Sequence, residues 1–162
     1  MSFAAYVSGR LPALNRAARR LCGDRPAADD LVQATLIKVA PHWARVAAAG
    51  DPDPYVRRVM LTEHVSAWRR GRHRDRPTAD LADPVTPDPA DRVATALAVR
   101  TALARLAPGQ RTVLVLRYFD DLTTTATARI MRCSVSTVKS QTRDALAALR
   151  AGAPELAELA RR

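Results

Sequence analysis

Along most of this chain apolar residues return every third or fourth position, the period of helices that bury one face. Residues 3–21 (FAAYVSGRLPALNRAARRL) follow that period, with Gly9 and Pro12 expected to weaken or kink the middle. The next stretch, PAADDLVQATLIKVAPHW, opens with Pro26, Asp29 and Asp30, which suit a helix N-terminus. Val32, Leu36, Val39 and Trp43 then fall at i, i+4, i+7 and i+11 and predict a single buried stripe. Pro41 should end or kink this helix near Ala40. After the loop GDPDP, residues 55–74 predict a third helix, with Val56, Val59, Met60, Leu61, Val65 and Trp68 as its apolar set. Further on, residues 91–106 and 108–119 predict two helices split by Ala-Pro-Gly, the second offering Val113, Leu116 and Phe119 to a core. A short helix over 124–131 and a longer one after Ser134 complete the pattern.

One segment breaks the helical rhythm. DRPTADLADPVTPDPADR (75–92) carries Pro77, Pro84, Pro87 and Pro89 among five aspartates at 75, 80, 83, 88 and 91. Proline fixes φ and removes a donor, and like charges repel, so an extended solvated linker is expected over 77–91. It separates a domain over 1–76 from another over 92–150, with a tail over 151–162. Aromatics are only 4% of the chain, and the apolar content is mostly Ala, Leu and Val. Such material suits small helical bundles, so the expected fold is all-α: two small helical domains joined by a Pro/Asp-rich linker.

Charge follows the same division. The chain carries +10 overall; residues 1–76 hold 14 basic against 7 acidic groups, 77–91 four acids and no base, and 92–162 twelve basic against five acidic. Two cationic lobes around an acidic strap suit a polyanionic partner. Cys22 and Cys133 lie far apart and outside any metal-ligand spacing, which argues against zinc or a disulfide framework and suits a reducing compartment. No apolar run reaches membrane-spanning length, and the N-terminus lacks a charged start followed by an apolar core; a cytoplasmic protein with no membrane partner is expected. His42, His64 and His73 sit beside no nucleophile partner, and no phosphate-binding glycine loop is present, so neither an enzyme nor a cofactor is expected.

The stretch MRCSVSTVKSQTRDALAALR (131–150) carries the chemistry. Ser134 is placed to cap a helix whose buried face is Val135, Val138, Ala145, Leu146 and Leu149. Ser136, Thr137, Lys139, Ser140 and Arg143 then face outward near its start. A short helix, a tight break at 132–134 and a longer helix form a helix-turn-helix, whose second helix enters the major groove by its N-terminal residues. Hydroxyls permit close approach, while Lys139 and Arg143 supply phosphate or guanine contacts. An ordinary wet face would interleave Glu with Lys; this one has no acid before Asp144.

LAPGQRTVLVLRYFDDLTTTATARIMRCSVSTVKSQTRDALAALR (106–150) resembles the sigma-4 domain of sigma-70 family factors of the extracytoplasmic-function (ECF) group. ADDLVQATLIKV and YVRRVMLTEHVSAWRRGRHR resemble the sigma-2 domain, a three- or four-helix bundle, in the expected order. The nearest subgroup is the short actinobacterial SigE-like type. The resemblance implies a factor that binds core RNA polymerase and directs promoter-specific initiation, polymerase itself holding the catalytic magnesium. It implies that Asp30, Leu31, Gln33, Thr35 and Leu36 pack on the clamp helices of the β′ subunit, with core packing the competing role for Leu31 and Leu36. Arg57, Arg58, Arg69, Arg70 and Arg72 would neutralise phosphates at the −10 element, and His64 and Trp68 would meet unstacked bases, Trp68 having an end-of-core role as its rival. The helix-turn-helix would read the −35 element while its flank rests on the β flap. The linker would thread toward the active-site cleft, Asp80, Asp83 and Asp88 occupying a cationic channel, or serve only as a tether. An anti-sigma partner is common in the family.

Three departures stand out. Thr62, beside Glu63, replaces a frequent Asn of the −10 helix; Arg132 replaces the usual glycine of the turn; and TTTATA (123–128) replaces a more acidic segment. The competing function is a stand-alone regulator that uses only the helix-turn-helix, with a sensor domain in its N-terminal half.

Overall fold

The computed structural model describes residues 1–71 and 90–153, and of 90–95 the backbone alone. Every regular element among the described residues is helical. The chain divides into two compact units, Met1–Arg74 and Asp75–Arg162. The expected linker 77–91, apart from its last two residues, and the tail beyond residue 153 lie outside the described residues.

In the first unit, α1 (Phe3–Cys22), α2 (Arg25–Val39), α3 (Trp43–Ala48) and α4 (Asp53–Arg69) form a bundle in which α2 packs against both α1 and α4. Polar caps set the starts: the Ser2 hydroxyl accepts from the Ala5 amide at 3.2 Å, and the Asp24 carboxylate from the Ala27 amide at 2.8 Å. Gly23, at φ 79°, closes α1 in the left-handed region, its N–H donating to the Arg19 carbonyl. α1 runs on through Gly9 and Pro12, the two residues expected to weaken or kink its middle, without ending there. Pro12 is exposed, so water can serve the carbonyl its ring leaves unpaired. Pro41 acts as expected, turning the chain through a 3₁₀ turn (Ala40–His42) between α2 and α3. At one end of the core, the Trp43 ring lies 4.8 Å from that of Tyr6 and 5.3 Å from that of Phe3, and its Nε1 donates to the Met1 carbonyl. Val39, Val56, Met60 and Leu21 fill the centre.

The second unit comprises α5 (Ala90–Ala104), α6 (Pro108–Leu114), a π-wound turn (Val115–Phe119), α7 (Thr124–Met131) and α8 (Val135–Gly152). α8 packs against α5, α6 and α7 over a core of Val113, Leu116, Met131, Val138 and Ala145. Arg111 is buried and donates from Nη1 to the Ala104 carbonyl, tying α6 to the end of α5. Phe119, expected in the core, is instead 37% exposed. The π turn, closed by the Asp120 amide on the Val115 carbonyl, adds a residue to the cycle and swings Phe119 outward.

Candidate nucleic-acid interface

α7 and α8 meet at a three-residue turn whose geometry rests on two devices. Arg132 adopts φ 53°, ψ 46°, the left-handed conformation usually given to glycine, and its amide donates back toward the end of α7. Ser134 caps α8, accepting from the Thr137 amide at 3.1 Å, while its hydroxyl lies 2.8 Å from those of both Ser136 and Thr137. The first turn of α8 therefore presents a linked set of hydroxyls. Val138 is fully buried beneath it, as is Ala145 two turns further along the same face.

Ser136, Thr137, Lys139 and Arg143 are exposed, as the sequence predicts. Arg143 pairs with its neighbour Asp144 at 3.1 Å yet keeps most of its side chain in solvent. Ser140 is half-buried, and its hydroxyl donates to the Thr137 carbonyl. Val135, expected on the buried face, is 37% exposed and stands beside Ser136. The first turn of α8 thus carries an apolar group that periodicity assigns to the core.

In the first unit the basic residues of α4 fall on two faces. Arg58, Thr62 and Arg69 share one exposed stripe at i, i+4 and i+11. Arg57 belongs to another, with Leu61, His64 and Trp68. This second stripe turns toward the bundle: Leu61 and His64 are buried and Trp68 is half-buried. His64 is therefore not placed to meet a base. It is 2% exposed, with Nδ1 3.8 Å from the Cys22 sulfur on α1. Arg57 and Arg70 are exposed, and Arg72 lies outside the described residues.

α2 corrects the set of polymerase-facing residues. Its contacts with both α1 and α4 bury Ala28, Leu31, Val32, Thr35 and Val39, so Leu31 and Thr35 are core rather than surface. The Thr35 hydroxyl donates to the Leu31 carbonyl at 2.7 Å. Leu36 is half-buried, and Asp30 and Gln33 are exposed. Ile37, which sequence reasoning overlooks, is 64% exposed and completes a strip with them at i, i+3 and i+7. The available signal is an isoleucine four residues beyond Gln33.

Two ion pairs fix these helices. Lys38 on α2 reaches Glu63 on α4 at 2.6 Å, and Arg10 reaches Asp53 at 2.7 Å. Tyr6 also donates to Asp53, at 2.9 Å; burial first, then that carboxylate, pushes its phenol well above the usual range. Arg20 on α1 is held below the ordinary arginine value, first by burial and then by the charges of Arg16 and Arg57. Among the described residues no cluster of His, Cys, Asp and Glu could hold a metal, and no helix is long and apolar enough to cross a membrane.

Known proteins share this arrangement. The family described as "Sigma-70 region 2" matches residues 7–74, and "Sigma-70, region 4" matches 96–149. The RNA polymerase sigma-E factor of Streptomyces avermitilis is 37% identical over 150 residues, covering 93% of this chain and 84% of that one. The ECF RNA polymerase sigma factor SigL of Mycobacterium tuberculosis is 29% identical over 146 residues, 87% of this chain and 82% of that one. Among solved structures, the sigma factor RpoE of Bartonella quintana, in complex with the anti-sigma factor NepR, superposes with a TM-score of 0.56 at 25% identity, over 91% of this chain and 94% of that one. Because both units match, the regulator built on a helix-turn-helix alone is not favoured. The chain belongs to the sigma-70 family, in its ECF group of SigE-like factors, and directs transcription initiation with core RNA polymerase at promoter DNA.

Proposed function

We propose that the two units divide promoter recognition between them. The first turns of α8 enter the major groove of the −35 element. Ser136 and Thr137 pack against base edges and sugar-phosphate, Val135 meets a thymine methyl, and Lys139 and Arg143 supply guanine or phosphate contacts. The observation that carries this reading is the solvent-facing crest of Ser136, Thr137, Lys139 and Arg143 directly above buried Val138 and Ala145. On α4 the stripe of Arg58, Thr62 and Arg69 holds the −10 strand backbone, Arg70 and Arg72 add basic charge in the sequence that follows, and half-buried Trp68, on the neighbouring stripe with Arg57, offers its free edge to an unstacked base. Asp30, Gln33 and Ile37 on α2 dock on the β′ clamp helices, Leu36 lining the edge of that strip. The exposed Tyr118 and Phe119 of the π turn suit the β flap.

The factor works in the cytoplasm and catalyses nothing itself. Its structural likeness to RpoE in complex with the anti-sigma factor NepR supports an anti-sigma partner here too. The acidic strap, by its composition, is assigned to a cationic channel of polymerase.

Reconstitution with core polymerase tests the division. Arg143→Ala is expected to reduce transcription from promoters with an intact −35 element by about tenfold, the cost of removing one good base or phosphate interaction. Gln33→Ala should weaken capture by core polymerase and leave affinity for free DNA unchanged. Equal losses of free-DNA binding by both variants would overturn the assignment, as would promoter-specific transcription that does not depend on added core enzyme.

A further inference from the structure

Arg143 and Asp144 are neighbours on α8, and their contact has a definite geometry. The Arg143 Nε donates to Asp144 Oδ1 at 3.1 Å, and Nη2 lies 3.1 Å from the same oxygen. One side of the guanidinium is therefore turned to the carboxylate. Its end, Nη1 with the outer N–H of Nη2, is left facing away. The two residues also sit differently on the helix. Arg143 continues the stripe of Ser136 and Lys139 at i, i+3 and i+7, whereas Asp144 continues that of Thr137 and Ser140, about 100° round the axis. The Arg143 side chain is 77% exposed and that of Asp144 48%. The guanidinium thus stands on the crest of α8 and the carboxylate at its flank. Asp144 is the one acid in the α8 sequence.

An exposed pair of this kind adds little to stability. Its consequences for DNA are of two kinds. The carboxylate offsets the guanidinium charge, so Arg143 draws phosphates less than a lone cation would. It also restricts a long side chain, so less freedom is lost when the guanidinium settles on a target. What survives the pairing is direction: two parallel N–H groups at the free end. In the major groove guanine presents two acceptors, O6 and N7, which such a fork meets together, whereas adenine presents one acceptor and one donor. We propose that Asp144 is a positioning residue for −35 recognition, holding Arg143 from the side so that its free end reads a guanine. The inference rests on the placement of α8 in the major groove and deepens it, assigning Arg143 to a base rather than to a phosphate.

The test uses core polymerase reconstituted with the full chain and a promoter library randomised over the −35 and −10 elements, each template marked by a barcode in its transcribed part. Sequenced transcripts of the unaltered chain should show a −35 position at which guanine, on one strand, is preferred about tenfold or more. Arg143→Ala should flatten that position. Asp144→Ala should lower the preference there by about threefold or more, part of what a full guanine contact supplies, and leave the other positions alone. Asp144→Asn, which keeps an acceptor oxygen at the same place, should retain more of the preference. In a salt titration with a short duplex of arbitrary sequence, Asp144→Ala should bind more tightly than the unaltered chain. Its plot of log affinity against log salt should steepen by up to about 0.9, the value for one further phosphate neutralised. Tighter binding with poorer discrimination marks lost positioning; a damaged helix would weaken both, and that result overturns the proposal. So does an unchanged guanine preference in Asp144→Ala. If Asp144→Ala instead flattens a different position from Arg143→Ala, Asp144 reads a base itself, as a carboxylate accepting from cytosine N4 would, and the proposal is again overturned. Should Arg143→Ala flatten no position, the placement of α8 in the groove falls too; should it flatten one that Asp144→Ala leaves intact, that placement stands without the proposal.

Discussion

Arg132 shows how a single backbone angle sets the working geometry of the second unit. At φ 53° it carries a Cβ into a region where L-residues are strained by about 1–2 kcal/mol. The turn needs that conformation, because it lets the amides of Arg132 and Cys133 close the end of α7. Arg132→Gly removes the strain but adds freedom to the unfolded chain, so the net gain should be about 0.5–1 kcal/mol. Chemical denaturation followed by circular dichroism should show this as a later midpoint for the second unit. A lower stability would mean that the arginine side chain contributes more than its backbone strain removes. The sequence itself marks this residue as a departure from glycine, and the capping by Ser134 is legible in the same way, because caps and turns are local chemistry. The burial of His64 is not legible. Its helix carries exposed arginines at 57, 58 and 69, and only the packing of α4 against α2 and α1 decides which stripe turns inward.

At the scale of elements, α2 carries two partners on different sides, and that explains both what its periodicity reveals and what it hides. Its i, i+4, i+7 stripe gives Val32 and Val39 to the core, where they lie, yet a helix wedged between α1 and α4 buries a wider face than one stripe, taking Leu31 and Thr35 too. Periodicity measures amphipathicity; it does not count neighbours. Phe119 departs from its pattern for a different reason: a π turn shifts the phase, and nothing in VLRYF announces one. The clasp between α2 and α4 makes an asymmetric prediction. The Lys38 side chain is 60% exposed, whereas that of Glu63 is only 11% exposed. Removing Glu63 leaves a lysine free to extend into water, but removing Lys38 strands a carboxylate with little solvent. Lys38→Met should therefore destabilise the first unit more than Glu63→Met, by about 1 kcal/mol, and the double variant should recover part of the loss. Denaturation monitored by tryptophan fluorescence gives the three values. Equal single-variant losses would show that Glu63 is fully solvated.

At the scale of the whole chain, the two units have separate cores. The residues that fill them are Leu21, Val39, Val56 and Met60 in one, and Val113, Leu116, Met131 and Val138 in the other. Both tryptophans, Trp43 and Trp68, belong to the first unit, so their fluorescence reports on that core, while circular dichroism reports on both. Leu116 is fully buried, and truncating it removes three carbons from a core supplied by short helices. Leu116→Ala should cost the second unit about 2–5 kcal/mol. Dichroism should then split into two transitions, the earlier one silent in fluorescence, while the fluorescence midpoint stays at its original position. A fluorescence midpoint that moved with the earlier transition would show that the units unfold as one. Independent unfolding has a consequence for promoter binding. Two modules on one chain raise each other's effective concentration on a shared DNA without any additional interaction. Near the temperature at which the second unit melts, the Leu116→Ala variant should retain polymerase binding through α2 and lose dependence on the −35 element. The division of labour inferred from α2, α4 and α8 would then appear as a temperature-dependent change in promoter preference.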